Sequence, residues 1–181
     1  MKARVLFATG YEEVEALTVV DLLRRAGVEC LMVSADDQDT VTGARGMEVT
    51  MDEKLSEIDD QCDLVVLPGG IPGVPNLKTN SKVQAMVKAQ NDRGGYVAAI
   101  CAGPTALGAF GVLADKNATC YPGCEEQLMA KRHSTEPVVV DGNVITSRGV
   151  GTAIEFALKL VEILIDRQTA DDLAEKIVYK R

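Results

Sequence analysis

The chain has 181 residues, of which 46% are hydrophobic, 25% are charged and 4% are aromatic, and its formal net charge is −8. These values predict one soluble globular domain spanning residues 1–181, with a core of small aliphatic side chains. The acidic balance argues against a general nucleic-acid surface and against binding to an anionic membrane, because both depend on Lys and Arg.

The first residues do not resemble a targeting signal. Only the short apolar run 5–8 follows Lys2 and Arg4, which is too brief for a signal-peptide core, and no apolar run approaches the ~20 residues that span a bilayer. We therefore expect a cytoplasmic protein with no membrane partner.

The residue types that bind metals or form disulfides are sparse. Five cysteines make an odd count, so free thiols are expected. Cys120 and Cys124 are closely spaced, but no second Cys/His pair completes a tetrahedral metal site, and no metal is predicted. The only histidine, His133, lies in a polar stretch and is interpreted as a solvated loop residue.

Predicted strands and helices alternate along the chain. In order, the patterns predict a strand at 4–9, a helix at 12–26, a strand at 28–35, a small β excursion at 40–50, a strand at 63–67, a helix at 81–92, a strand at 96–100, helices at 104–110 and 125–131, a hairpin at 138–146, and helices at 152–165 and 169–178. Thr152 and Thr169 are the expected N-caps of the last two helices. This order predicts an α/β fold, with a mainly parallel sheet covered by helices on both faces.

Three distinctive turns follow predicted strands. Gly10 precedes an acidic cluster, Gly69 and Gly70 follow the third strand, and Cys101 follows the strand at 96–100. Ligands bind at the carboxyl ends of strands in parallel sheets, so these turns predict a site at one edge of the sheet.

Cys101 is the candidate nucleophile. An apolar strand leads directly into it, and Gly103 and Pro104 follow. A sharp strand-to-helix turn exposes a side chain at the end of the sheet, and the first amides of the next helix favour a thiolate. The alternative is a buried, inert cysteine.

Acidic residues open the first predicted helix. Complementing the helix dipole is enough to explain Glu12 and Glu13. Glu15 is followed by apolar residues and is the candidate to point toward the sheet end. A carboxyl group buried beside a thiolate would stay protonated, donate a hydrogen bond to the sulfur and move a proton during turnover. The sequence does not by itself select Glu15 over its neighbours.

Other candidate groups lie in loops. The backbone amides of Gly70 and Ala102 could form an oxyanion hole, although a turn with positive φ also explains at least one glycine. Arg45 and Arg148 lie in glycine-flanked loops, where they could bind an anionic substrate or brace a subunit contact. An exposed arginine with no such role is the alternative for each.

Five segments carry motifs that are specific in combination: 10–15 (GYEEVE), 21–27 (DLLRRAG), 65–70 (VVLPGG), 98–107 (AAICAGPTAL) and 146–157 (TSRGVGTAIEFA). Together they resemble the ThiJ/PfpI superfamily, in its branch of the human Parkinson-disease-linked deglycase and the bacterial ThiJ proteins. The resemblance implies a flavodoxin-like three-layer sandwich that forms a homodimer. It also implies Cys101 as the reactive thiolate, Glu15 as its protonated partner, and the Gly70 and Ala102 amides as the oxyanion site.

The resemblance further implies activity without a cofactor. Activities in this branch include a glyoxalase that converts methylglyoxal to lactate and the repair of early glycation adducts on proteins. Cysteine oxidation to sulfinate and chaperone behaviour are also associated with it. We therefore expect an enzyme acting on small aldehydes or glycated proteins, and the alternative is a non-catalytic redox sensor or chaperone.

Three positions depart from the family pattern. Ala102 replaces the histidine that follows the cysteine in the protease-like branch, which argues against a peptidase dyad. Tyr121 stands where close relatives often carry a histidine before proline, so proton transfer would rest on Glu15, Tyr121 or water. Val150 replaces a common proline.

Overall fold

The protein is described by a computed structural model, which covers residues 1–59 and 61–180. The strands are β1 (Lys2–Phe7), β2 (Glu29–Ser34), β3 (Thr40–Thr42), β4 (Glu48–Thr50), β5 (Glu53–Lys54), β6 (Leu64–Leu67), β7 (Tyr96–Ile100), β8 (Asn117–Ala118), β9 (Arg132–His133), β10 (Val138–Asp141) and β11 (Val144–Ser147). The helices are α1 (Glu13–Arg25), α2 (Gly73–Thr79), α3 (Ser81–Asp92), α4 (Pro104–Ala109), α5 (Glu125–Leu128), α6 (Ala153–Leu164) and α7 (Arg167–Lys176), and a 3₁₀ turn covers Val150–Thr152.

The main sheet has seven strands in the order β10-β11-β7-β6-β1-β2-β5. Its neighbouring strands pair in parallel, except for β10, which joins β11 as an antiparallel hairpin. Both the predicted parallel sheet and the predicted hairpin are confirmed. Because β11, β7, β6 and β1 are adjacent and parallel, their carboxyl ends meet at one edge of the sheet.

Two apolar layers cover the sheet. Along β1, Val5 and Phe7 pack against the layer that contains α1, α6 and α7. Leu6, between them, faces the opposite layer, which contains α2, α3 and α4. This alternation buries both sides of a central strand, as expected where helices cover both faces. The fold is the flavodoxin-like α/β sandwich that the family resemblance implied.

Several elements differ from their predicted form. The segment 73–79 is a helix that was not predicted, because Gly73 and Pro75 weaken its helical pattern, although proline is tolerated in a first helical turn. The helix predicted at 125–131 ends at Leu128, because Met129 adopts a left-handed conformation with φ of 50°. The two-residue strands β5, β8 and β9 carry no periodicity that could have revealed them.

Both predicted N-caps need correction. The helix predicted from Thr169 begins at Arg167, and its cap is Asp166, whose carboxylate accepts a hydrogen bond from the Thr169 amide at 2.7 Å. Thr152 occupies the position before α6, but its hydroxyl does not cap that helix. It instead accepts a hydrogen bond from the Gly149 amide at 3.1 Å and so braces the loop ahead of the helix.

His133 is not a solvated loop residue. It pairs with Ala118 in the small sheet formed by β8 and β9 and is half-buried. Its Nε2 atom is buried without a hydrogen-bond partner among the described residues. The polar residues around it in the sequence concealed this pairing.

Residues 1–59 and 61–180 contain neither a membrane-spanning helix nor a cluster of metal-binding side chains. No helix there is both long enough and apolar enough to cross a bilayer. No group of three or more His, Cys, Asp or Glu side chains in these ranges is arranged to hold a metal ion.

Asn80 provides a test of the connection between α2 and α3. Its side-chain oxygen accepts hydrogen bonds from the Lys82 and Val83 amides, and its amide nitrogen donates to the Ala35 carbonyl at 2.9 Å. We expect Asn80→Ala to lower the free energy of unfolding by about 1 kcal/mol, since the cap is lost. Asn80→Ser keeps a capping oxygen without placing a carboxylate against the Ala35 carbonyl, and it should lose less in urea unfolding. An alanine variant as stable as the wild type would contradict this assignment.

Candidate active site

Cys101 follows the last residue of β7 in a strained backbone conformation. Its φ is +66°, in the left-handed region that residues with a side chain rarely adopt. The conformation is fixed from both sides, because the Cys101 amide donates to the Ser147 carbonyl at 3.0 Å and its carbonyl accepts from the Tyr121 amide at 2.8 Å. The thiol is thereby held at the carboxyl edge of the sheet, half-buried, as the turn in the sequence predicted.

Glu15 reaches this edge from the first turn of α1. Glu12 caps the helix by accepting a hydrogen bond from the Glu15 amide at 2.8 Å. The Glu15 side chain is fully buried, and its Oε2 atom accepts a hydrogen bond from the Gly69 amide at 3.0 Å. The turn after β6 therefore anchors the carboxyl group beside the cysteine turn after β7.

Burial governs the protonation of Glu15. It raises the pKa of the carboxyl group to about 7, and the charge of Glu12 acts in the same direction, while the Cys101 thiol and the amides of Gly69 and Val150 oppose the rise. The Oε1 atom is buried and makes no hydrogen bond of ordinary geometry within the described chain. A proton on this carboxyl group removes the need to solvate a charge there.

The thiol and the carboxyl group titrate as a pair. Burial raises the pKa of the Cys101 thiol and an ionised Glu15 raises it further, while the Ala102 amide opposes both effects. Two negative charges side by side in a buried place are costly, so the pair retains one proton over a wide range of pH. When Glu15 keeps that proton, its negative charge is absent and its hydroxyl can donate to a thiolate. The reactive thiolate predicted from the sequence therefore requires the shared proton to reside on Glu15.

Gly69 makes this arrangement possible. A Cβ atom at this position would lie 2.6 Å from Cys101 Cβ and 3.0 Å from its Sγ, and it would also collide with the Glu15 carboxylate. Only a residue without a side chain allows the cysteine and the glutamate to meet across this loop. In the sequence, Gly69 is recognisable only as part of a turn, and no local pattern indicates its contact with Glu15.

The amides of Gly70 and Ala102 both border the open space beside the sulfur. Neither amide donates a backbone hydrogen bond within the described chain. The Ala102 amide interacts with the Cys101 sulfur and lowers the pKa of the thiol, against the effect of burial. Gly70 has a φ of +103°, and a Cβ there would lie 2.6 Å from the Tyr11 carbonyl carbon. Two available donors near one thiol are the elements of an oxyanion site.

One cleft of about 660 Å³ lies over this pair. All seven residues predicted from the sequence line it: Glu15, Arg45, Gly70, Cys101, Ala102, Tyr121 and Arg148. The side chains of Ile71, Tyr121 and Val150 are exposed apolar groups at its rim. The cleft is large enough for a small molecule and has a mostly apolar mouth.

Arg45 reaches the cleft because of Glu13. The Glu13 carboxylate is buried and accepts a hydrogen bond from the Arg45 amide at 2.6 Å, which ties the loop between β3 and β4 to α1. Glu13 was interpreted from the sequence as a dipole-complementing residue, but its Oε1 atom holds a loop of the site. No signal in the sequence indicates this contact, because it joins residues 32 positions apart.

Arg148 and Tyr121 border the cleft from the opposite side. Arg148 is half-buried and donates from Nη1 to the Thr135 carbonyl at 3.2 Å, while its Nε atom has no partner among the described residues. The Tyr121 ring packs near Gly149, where a Cβ would lie 3.3 Å from the ring atom Cδ2. Tyr121 is 52% exposed, so its hydroxyl is accessible from the cleft mouth.

The raised pKa of Glu15 predicts a pH-dependent stability. Because the folded state holds this proton more tightly than the unfolded chain, the contribution is complete below pH 4.5 and is lost as pH rises through about 7. The loss should be on the order of 3 kcal/mol in the free energy of unfolding. Urea unfolding of the wild type and Glu15→Gln on either side of this window should show the loss in the wild type only. Equal pH profiles for the two proteins would contradict a buried, titrating Glu15.

A side chain at position 69 should separate the pair. We expect Gly69→Ala to displace Cys101 or Glu15 and to slow Cys101 alkylation, with an overpacking cost of about 1–3 kcal/mol. Gly151→Ala is the matched control, because Gly151 lines the same cleft and a Cβ there meets no atom within 4 Å. If both variants alkylate at the wild-type rate, Gly69 has no role in positioning the pair.

The chain as a whole is similar to known proteins. The model of the DJ-1/PfpI family matches residues 1–163. The chain is 39% identical to the Parkinson disease protein 7 homolog of Danio rerio, over 99% of this chain and 97% of that protein. It is 33% identical to the glutathione-independent glyoxalase DJR-1.2 of Caenorhabditis elegans, over 92% of this chain and 89% of that protein.

The fold of the chain is also similar to that of a solved structure. The structure titled "Toxoplasma gondii DJ-1, oxidized" superposes with a TM-score of 0.96 at 35% sequence identity, covering 99% of each chain. These matches extend over nearly the whole chain and agree with the motifs found in the sequence. The chain belongs to the DJ-1/PfpI family.

Proposed function

We propose that this protein is a cysteine-dependent enzyme that converts small 2-oxoaldehydes to 2-hydroxy acids without a cofactor. The observation that carries the proposal is the fully buried Glu15 carboxyl group, held by the Gly69 amide beside the thiol of a strained Cys101. The name of the Caenorhabditis elegans relative, a glutathione-independent glyoxalase, supports the same class of reaction.

The first step is attack of the Cys101 thiolate on the aldehyde carbon. A carbon–sulfur bond forms, and the carbonyl oxygen takes the negative charge. In this proposal the amides of Gly70 and Ala102, which donate no backbone hydrogen bond within the described chain, donate to that oxygen, and the protonated Glu15 supplies the proton that gives a hemithioacetal.

The second step transfers hydrogen within the adduct. Glu15, now ionised, removes the proton from the former aldehyde carbon and returns it to the adjacent carbon, while the hydroxyl proton of the hemithioacetal moves to the former ketone oxygen. The aldehyde carbon is thereby oxidised to a thioester and the ketone is reduced to an alcohol. Water then cleaves the carbon–sulfur bond, releasing the hydroxy acid and the thiol. The overall change is the addition of one water to the 2-oxoaldehyde, so no external oxidant or reductant is needed.

The cleft also suggests how the substrate is held. Arg45 and Arg148 place positive charge at its edges although the chain as a whole is strongly acidic. They would favour oxygen-rich carbonyl compounds and the carboxylate product. The open mouth is also compatible with a glycated side chain on another protein, the second substrate class that the family resemblance implies.

Lactate formation from methylglyoxal tests the enzyme hypothesis. Cys101→Ala should reduce the rate to background, because no other thiol occupies its position in the cleft. Glu15→Gln should lower kcat by about 10²-fold or more, since general acid–base catalysis is lost. Cys62→Ser is the matched control and should keep the wild-type rate, because Cys62 precedes β6 at the opposite edge of the sheet. Equal rates for the wild type and Cys101→Ala would refute the proposal.

A redox sensor is the second candidate function, and the half-buried position of Cys101 in an open cleft favours it. In that case peroxide would oxidise Cys101 to sulfinate while the lactate assay stayed at background for the wild type.

The homodimer implied by the resemblance is also proposed here, and sedimentation equilibrium of the wild type tests it directly.

A further inference from the structure

A second thiol shares the cleft with Cys101. Cys124 is half-buried and lines the same cavity, and it is close enough to Cys101 to affect the sulfur electrostatically. The mechanism proposed above does not use this side chain. In the sequence, the close spacing of Cys120 and Cys124 suggests only a metal ligand.

The backbone links the two thiols through a short path. The Tyr121 amide donates to the Cys101 carbonyl at 2.8 Å, and the Cys124 amide donates to the Tyr121 carbonyl at 3.0 Å. Residues 121–124 thus form a turn whose first residue is bonded to the cysteine turn. Its third residue is Gly123, with a φ of +94°, and Tyr121, Pro122 and Gly123 are all exposed. The Cys124 side chain itself packs at the edge of the apolar layer that contains α4.

The other cysteines are poorly placed to reach Cys101. Cys120 is fully buried in the apolar layer under α4 and does not line the cleft. Cys30 is buried near the amino end of β2 and does not line the cleft. Cys62 lies at the amino end of β6, across the sheet from the site. Among the described thiols, Cys124 alone opens onto the space above Cys101.

We propose that Cys124 is a resolving thiol, which captures oxidised Cys101 as an intramolecular disulfide and protects it from irreversible oxidation. The proposal rests on the reactive Cys101 of the proposed function and adds a hydroperoxide as oxidant and an external dithiol as reductant. A disulfide requires the two Cα atoms to lie within about 7 Å, so the proposal includes any shift of the 121–124 turn that brings Cys124 to that distance from Cys101.

The chemistry balances in three steps. The Cys101 thiolate attacks one oxygen of the hydroperoxide and the O–O bond breaks, giving a sulfenic acid, while the departing alkoxide or hydroxide takes the proton of Glu15 and leaves as an alcohol or water. The Cys124 sulfur then attacks the Cys101 sulfur, the S–O bond breaks, and the departing hydroxide takes the Cys124 proton to form water. An external dithiol finally reduces the disulfide and is itself oxidised. Without the second step, another hydroperoxide converts the sulfenic acid to sulfinate.

The test is peptide mapping after two equivalents of hydrogen peroxide, because sulfinate formation consumes two. In the wild type we expect a peptide pair joined through Cys101 and Cys124, which disappears after treatment with dithiothreitol. In Cys124→Ser the joined pair should be absent, and Cys101 should be recovered as sulfinate that dithiothreitol does not reverse. Cys62→Ser is the control and should behave like the wild type.

Three outcomes would overturn the inference: an unoxidised Cys101, a Cys101–Cys120 linkage, or equal amounts of sulfinate in the wild type and Cys124→Ser. Mapping does not depend on turnover, so it is separate from the lactate assay. A protein that forms lactate but no disulfide loses only this inference, and one that forms the disulfide but no lactate loses only the enzymatic function.

Discussion

The site depends on one constraint: a thiol and a carboxyl group are buried side by side and retain a single proton between them. The Glu15 carboxyl group is fully buried, and burial raises its pKa to about 7. The same burial opposes a charge on Cys101. Neither group has an isolated titration, so the reactivity of the sulfur is a property of the pair. The surrounding structure serves to hold these two groups in contact.

The fold achieves this contact through strand order. Because β11, β7, β6 and β1 are parallel neighbours, the turns that follow them converge at one edge. The turn after β7 carries the cysteine, the turn after β6 supplies the Gly69 amide, and the helix after β1 carries the glutamate. The loop after β11 closes the cleft with Arg148. Cys101 adopts a strained backbone conformation in this position, and backbone hydrogen bonds to Ser147 and Tyr121 hold it there.

Much of this arrangement could be predicted from the sequence, because strand-end turns have local signatures. The run into Cys101 and the paired glycines indicated where strands end, and family motifs selected Glu15. Contacts between distant residues could not be predicted in this way. The hydrogen bond of Glu13 to Arg45 joins residues far apart in the chain, and the pairing of His133 in β9 has no periodic pattern. The cap at Asp166 was missed because Thr169 is an equally good capping residue type, and only the backbone geometry distinguishes them.

The most direct test of the shared proton is the pH dependence of Cys101 alkylation, followed by peptide mass spectrometry with Cys62 as the internal comparison. Because two adjacent negative charges are disfavoured, the pair loses one proton well before the other. If the remaining proton stays on the carboxyl group, alkylation should follow an apparent pKa below the ~8.5 of an ordinary thiol. An alkylation rate that rises only at or above ~8.5 would place the remaining proton on sulfur and contradict the account.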